Sequence, residues 1–182
     1  EDSDNVSLLV NGVVIDSFTY SSDWHHPVVA DQNGVSLERV STEVGTTIAA
    51  NWHSASSLAG NATPTGENSQ RLSTGGTVEQ PFSLTTRNFS PNDDGFKDFM
   101  AMEFNNASTD DITSVWVYDR EGREVIQLVS NELVGSKALV TWDGRTEDNT
   151  VATMGIYILL VRLWNTNGDV KDYQESFALI DR

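Results

Sequence analysis

The stretch with the most chemical content is Ser90-Pro91-Asn92-Asp93-Asp94-Gly95-Phe96-Lys97-Asp98. Oxygen-bearing side chains fall at alternating positions and a glycine follows the third, the layout of part of a calcium loop. Aligned to an EF-hand loop, Asn92 and Asp94 take the third and fifth positions, Phe96 offers a backbone carbonyl and Asp98 takes the ninth. The first position holds only Ser90, and the last holds Ala101 where a bidentate Glu belongs, so a true EF-hand is excluded. Two readings stay open. One is a reduced calcium site built from Asn92, Asp94, Phe96 and Asp98 and completed by carbonyls, water or another loop. The other is an Asx-turn loop in which Asn92 and Asp94 bond nearby backbone N–H groups. Calcium is the one cofactor the sequence suggests. A second acidic loop, Asp143, Glu147 and Asp148, reads as a solvated turn.

The histidines are His25, His26 and His53. Three imidazoles could hold zinc, but neighbouring side chains on an extended segment point to opposite faces, so His25 and His26 do not easily serve one metal. Each histidine sits close to Trp24 or Trp52, and the simpler expectation is that the tryptophans anchor loops while the imidazoles bond locally. Support for catalysis is thin. The chain has no Gly-x-Ser-x-Gly elbow, no phosphate loop and no His-Glu-x-x-His. With 27 acidic residues, picking a carboxylate pair for glycoside cleavage would be arbitrary. The expectation is a non-enzyme with no catalytic residues. Trp116, Tyr118, Trp142, Tyr157 and Trp164 are expected to pack a core, with an exposed sugar-binding platform as the alternative.

Composition narrows the partners. Lys and Arg number 11 against 27 Asp and Glu, for a net charge of −16. A duplex is repelled by that field, so phosphate-backbone recognition is excluded, and anionic membrane surfaces are disfavoured for the same reason. No apolar run approaches the roughly 20 residues of a membrane helix, so direct membrane insertion is not expected. Cysteine is absent, which removes disulfides, thiolate metal sites and cysteine nucleophiles. No basic-then-apolar leader opens the chain, so any export signal is expected to lie outside it.

The elements that position these residues read as strands. Apolar runs are short and broken by Asn, Asp, Gly and Ser, the pattern of an all-β chain. Val6–Val10 and Val13–Tyr20 flank Asn11-Gly12, the dipeptide of a two-residue hairpin turn. A short strand follows at Val35–Val40. Residues 60–80 turn to linker chemistry. Beyond them, strands are expected at Phe99–Phe104, Ile112–Tyr118, Glu124–Val129, Ala138–Trp142, Ile156–Trp164 and Val170–Ile180. Their number and spacing match an immunoglobulin-like sandwich. Residues 1–70 form one unit, 71–78 a linker, and 79–182 the second unit: two immunoglobulin-like β-sandwiches in tandem, the first incomplete at its N-terminus.

Two resemblances sharpen this. Gly34-Val35-Ser36-Leu37-Glu38-Arg39, then Asn51-Trp52-His53-Ser54-Ala55, then Thr63-Pro64 and Asn68 resemble the later part of bacterial lamin-tail domains. Family members usually carry further strands ahead of the hairpin. The second half resembles the C-terminal sandwich of proteins exported by the bacterial type IX secretion pathway, and is similar to the Ig-like domain of flagellar hook-capping proteins. The matching residues are Phe89 to Asp98, Val117-Tyr118-Asp119-Arg120-Glu121-Gly122-Arg123-Glu124-Val125, Trp142-Asp143-Gly144, Gly155-Ile156-Tyr157 and Asn167-Gly168. The resemblance implies a module read by an outer-membrane translocon or a surface-anchoring protein, on a protein that is secreted or held at the cell surface. The expected function is therefore that of a non-catalytic C-terminal module of a larger exported bacterial protein, acting in type IX secretion or surface attachment by protein recognition. The alternatives are a carbohydrate-binding or adhesion accessory of a secreted enzyme, and a stable subunit bound to the export machinery.

Overall fold

The computed structural model describes residues 3–72, 80–105 and 108–181. The linker expected over 71–78 falls outside the described residues except for Arg71 and Leu72. The chain is all-β, as the turn-punctuated runs require. Its strands are β1 (Ser3–Val10), β2 (Val13–Ser21), β3 (Leu37–Arg39), β4 (Trp52–Ser54), β5 (Phe82–Leu84), β6 (Asn88–Phe89), β7 (Met100–Asn105), β8 (Ile112–Asp119), β9 (Glu124–Leu133), β10 (Lys137–Trp142), β11 (Gly155–Trp164) and β12 (Val170–Leu179). No helix among the described residues is long and apolar enough to cross a membrane.

The second half is a sandwich of two sheets. One has five strands in the order β6-β12-β11-β8-β9, antiparallel except for the β6–β12 pair, and the other three in the order β10-β7-β5. Period-two alternation supplies the filling. Tyr157, Leu159, Val161 and Leu163 of β11 point inward beside Val115 and Val117 of β8, and meet Met100, Met102 and Phe104 of β7 across the interior. At one end the rings of Phe89, Trp142, Tyr157 and Phe177 form an edge-to-face and stacked cluster, with Trp142 centred 5.1 Å from Tyr157. The Trp142 indole N–H is satisfied by the Arg145 carbonyl at 2.6 Å, as a buried indole requires. The five strand aromatics thus divide. Trp142 and Tyr157 are core, whereas Trp116, Tyr118 and Trp164 lie half-buried on the opposite face of the five-stranded sheet.

The first half is built differently. Asn11 and Gly12 adopt φ of 50° and 79°, the left-handed pair of a tight hairpin turn, and β1 pairs β2 over its full length. The ribbon is apolar on both faces toward its tip, and Leu8, Leu9, Val13, Val14 and Ile15 are each more than half exposed. It meets the rest of the chain through Phe18 stacked on Trp52 at 4.5 Å and Asp16 accepting from the Thr46 hydroxyl. β3 pairs with β4 in a second two-stranded sheet.

Polar side chains organise the remainder. Val40 and Ala55 are the fully buried apolar residues among the described positions of 3–72. In their company Glu38, only 4% exposed, accepts bonds from the Thr63 and Ser69 hydroxyls and the Gln70 N–H. Gln70 in turn donates to the Ser54 carbonyl at 2.7 Å. Asn51 ties the Ser41–Val44 loop by three bonds to its backbone.

Candidate functional site

The acidic loop links β6 to β7 at one end of the sandwich, beside the aromatic cluster. The structure brings all four predicted residues into it. Asn92 Oδ1 accepts the Asp94 N–H at 3.2 Å, Asp94 Oδ1 accepts the Phe96 N–H at 2.8 Å, and Asp98 Oδ2 accepts the Gly95 N–H at 2.8 Å. The first two are Asx turns, whose central residues Asp93 and Gly95 sit at positive φ, and the third reaches back across the loop. Phe96 is half exposed, with the Lys97 ammonium 5.7 Å from its ring centre. Asp98 Oδ1 is buried and has no hydrogen-bond partner among the described residues. The second acidic loop is what its sequence suggested: Asp143, Glu147 and Asp148 are exposed, and Asp143 accepts the Arg145 N–H.

The histidines do not converge. Ser54 Oγ accepts the His26 backbone N–H at 2.8 Å and lies 2.9 Å from His25 Nδ1. His26 Nδ1 accepts the Val28 N–H, which leaves Nε2 as the protonated nitrogen, buried and without a hydrogen-bond partner. Burial holds both imidazoles below the ordinary histidine range. For His26 the nearby Asp110 opposes this and His53 adds to it. His53 pairs with Asp110 at 3.1 Å. Among the described residues no three His, Cys, Asp or Glu side chains come together as a metal-holding group.

The contact between the two halves is a feature the sequence did not announce. The β9–β10 corner is gripped by the 53–72 segment. Ser56 Oγ donates to the Leu133 carbonyl at 2.7 Å and the Val134 carbonyl at 3.0 Å, and Ser57 Oγ donates to Glu132. The Ser69 carbonyl accepts both the N–H and the hydroxyl of Ser136. Serines and glycines read as turn residues, so nothing local marks them as interface. Elsewhere the charged groups pair on the surface. Arg162 and Asp172 form a bidentate pair at 2.7 Å, and the guanidinium holds the Asp172 carboxyl below its usual range. The Asp119 carboxyl is likewise lowered, chiefly by the Arg123 backbone N–H.

No curated protein matches the chain. Among solved structures it is similar to PorZ, described as an essential bacterial surface component of the type-IX secretion system of Porphyromonas gingivalis. The identity is 21%, over 54% of this chain and 11% of PorZ, with a TM-score of 0.37. It is also similar to FlgD from P. aeruginosa (18% identity, 56% of this chain and 70% of that one, TM-score 0.38) and to CopC from Methylosinus trichosporium OB3b (13%, 47% and 78%, TM-score 0.32). The chain spans about a tenth of the length of PorZ. The family model of the CHU_C type IX secretion signal domain matches residues 84–180, the sandwich from β5 to the end of β12. That segment is more than half of the 182 residues, and the chain belongs to the CHU_C type IX secretion signal domain family.

Proposed function

We propose that residues 79–182 are the non-catalytic sorting module of a larger exported protein, recognised by an outer-membrane translocon or a surface-anchoring protein. The observation that carries this is the family match over the whole sandwich. The physical arrangement supports it. The buried apolar positions are spent on a packed core, and the acidic surface keeps the module soluble and repels anionic partners. Residues 3–72 serve as the adjoining part of the parent protein, resembling the later strands of a lamin-tail domain. The Leu37–Arg39 and Trp52–Ser54 pair lies at the centre of the motifs that carry that resemblance.

The deciding experiment removes residues 79–182 from the parent protein in its own cell. The truncated form should stop in the periplasm, while the intact protein reaches the surface or the medium. Normal surface display of the truncated form would overturn the sorting role.

Calcium on the Asn92–Asp98 loop belongs to the same proposal. The unpartnered Asp98 Oδ1 and the exposed Asp94 carboxylate supply oxygen donors within one short loop. An ion there would stiffen the loop between β6 and β7, at the end of the sandwich that carries the aromatic cluster.

A further inference from the structure

We propose that the channel along the outer edge of β9 receives an extended, basic segment of another polypeptide as an added strand. The inference deepens the reading above and rests on it for the premise that this module works by being recognised. β9 closes the five-stranded sheet: β8 pairs with one of its sides, with register shifts along the way, and among the described residues no strand pairs with the other. With ten residues it is the longest edge strand of the sandwich. A strand edge of that length is a row of unmet donors and acceptors and a template for another chain.

The free side is held only at its ends. The Val125 carbonyl accepts the Glu147 N–H at 3.4 Å, and the Leu133 carbonyl accepts Ser56 Oγ at 2.7 Å. Between them Gln127 turns back to bond the Val129 carbonyl at 3.2 Å, so that one carbonyl is met by the strand's own side chain. Among the described residues no other backbone group reaches that side.

Beside this edge lies a cavity of about 640 Å³, lined by residues 128–133 of β9, by the loop between residues 28 and 35, and by Ala55, Ser57, Leu58 and Asn61. Its volume falls within the roughly 300–1,000 Å³ of ordinary binding sites. Val28, Val29, Leu58 and Leu128 give it apolar, half-buried surface on which alternate side chains of an added strand would rest. Its charged lining residues are Asp31 and Glu132, and it has no cation. The chain's net charge of −16 acts in the same direction. The matching occupant therefore presents main-chain hydrogen bonds to β9, apolar residues on one face and Lys or Arg on the other. A membrane does not fit, because it brings no backbone to pair with the edge and the lining is acidic.

The test uses the full 182-residue chain and three capped peptides. One alternates Val and Lys, one alternates Val and Glu, and the third is the Val/Lys peptide with every amide N-methylated. Binding is followed by titration and by amide hydrogen exchange on β9. The Val/Lys peptide should bind and slow exchange of the β9 amides that face away from β8 by about tenfold or more, as amides gaining a cross-strand partner do, while amides already bonded to β8, such as that of Asn131, change little. The Val/Glu and N-methylated peptides should do neither. Asp31→Lys, whose carboxylate bonds Asn33 alone among the described residues, should weaken binding, and Asp31→Lys with Glu132→Lys should weaken it further. If the double variant fails to fold, the single one still decides. Absent protection at saturating Val/Lys peptide, equal protection by the N-methylated peptide, or binding indifferent to Asp31→Lys would each overturn the proposal. The two readings fail separately: the truncation experiment tests export without reference to this channel, and the exchange experiment needs no translocon.

Discussion

The Ser69 carbonyl stands 2.6 Å from the Ser136 backbone N–H and 2.8 Å from its hydroxyl, so one acceptor from the first half satisfies both donors of a residue in the second. The approach leaves no room for a Cβ on the residue before Ser136, which is glycine. Gly135 has φ of 67°, and a Cβ built on it would lie 2.7 Å from that same carbonyl and 3.1 Å from the Ser56 Cβ.

Gly135→Ala should therefore lose more stability than a glycine replaced for backbone reasons alone. Left-handed strain costs an L-residue about 1–2 kcal/mol. Gly168, at φ of 87° with nothing within 4 Å, isolates that part. Urea unfolding should show Gly135→Ala exceeding Gly168→Ala by about 1–3 kcal/mol, the range of an overpacked contact. Equal losses would mean that the two halves do not pack at Ser69.

Glu38 should prove more important to the first half than any of its apolar residues. Three donors converge on its carboxylate, from Thr63, Ser69 and Gln70. Glu38→Ala leaves them buried and unmet, at about 1–3 kcal/mol each before relaxation. Proteolysis of the 22–72 region should accelerate markedly in Glu38→Ala, and less in Glu38→Gln, which keeps one acceptor oxygen in place. Val40→Ala, by comparison, should leave the region more resistant than Glu38→Ala does.

How much of this was legible follows the range of each interaction. The hairpin at Asn11-Gly12 and the strands of the second half were readable, because turn residues and period-two alternation are local signals. β9 was read only to Val129 but runs to Leu133. Ser130, Asn131 and Glu132 look like a loop, and Asn131 does take a positive φ, yet the strand resumes its pairing with β8. The parallel β6–β12 pair joins residues about ninety positions apart and leaves no local trace. Glu38 reads as a surface charge until Ser69 and Gln70, more than thirty residues on, are folded against it. In the acidic loop the spacing of Asn92, Asp94 and Asp98 was visible. So was the Asx-turn reading of Asn92 and Asp94, whose bonds span two residues; the Gly95 N–H bonded back to Asp98 was not.

Acidification should weaken the first half before it touches the sandwich's ion pairs. Burial lowers the His25 and His26 pKa values from 6.5, so folding favours the neutral rings. That stability is complete above the unfolded value of 6.5 and is lost as pH falls from there through the folded values. The carboxyls of Asp172, lowered by Arg162, and Glu175, lowered by Gln80 and Arg87, lose theirs only as pH falls below about 4.5. The melting temperature should decline in two separate windows. His26→Asn, which retains an acceptor for the Val28 N–H, should flatten the upper one. An unchanged upper window in that variant would remove His26 as its source.

If the Asn92–Asp98 loop holds calcium, a chelator should lower the melting temperature, and added calcium should restore it, through preferential binding to the folded state. At a free calcium concentration one hundred times the dissociation constant the gain is about 2.7 kcal/mol. Asp94→Ala should abolish the response. The Asx turns themselves account for part of the loop's order, so the informative quantity is the chelator effect and not the variant's stability alone. A melting temperature indifferent to chelator in the intact protein would eliminate the ion.

The ribbon gives the last prediction. Leu9 faces Val14 across it, and they are 52% and 54% exposed. Threonine at both positions carries the β-branched preference for strand while removing apolar surface. If these side chains meet only water, the double substitution should change stability by less than about 0.5 kcal/mol, the usual size of a surface effect, and should reduce binding of an apolar fluorescent dye. Phe18→Ala, by contrast, removes the ring stacked on Trp52 at 4.5 Å. It should cost about 0.5–1.5 kcal/mol beyond its lost buried area and free the ribbon to move, seen as faster amide exchange along β1 and β2. A loss of about 2–5 kcal/mol from the threonine pair, the magnitude of a core truncation, would show instead that Leu9 and Val14 are covered in solution. The ribbon would then be an interior element, and its two-sided apolar pattern, which is that of a strand buried on both faces, would have its explanation in what covers it.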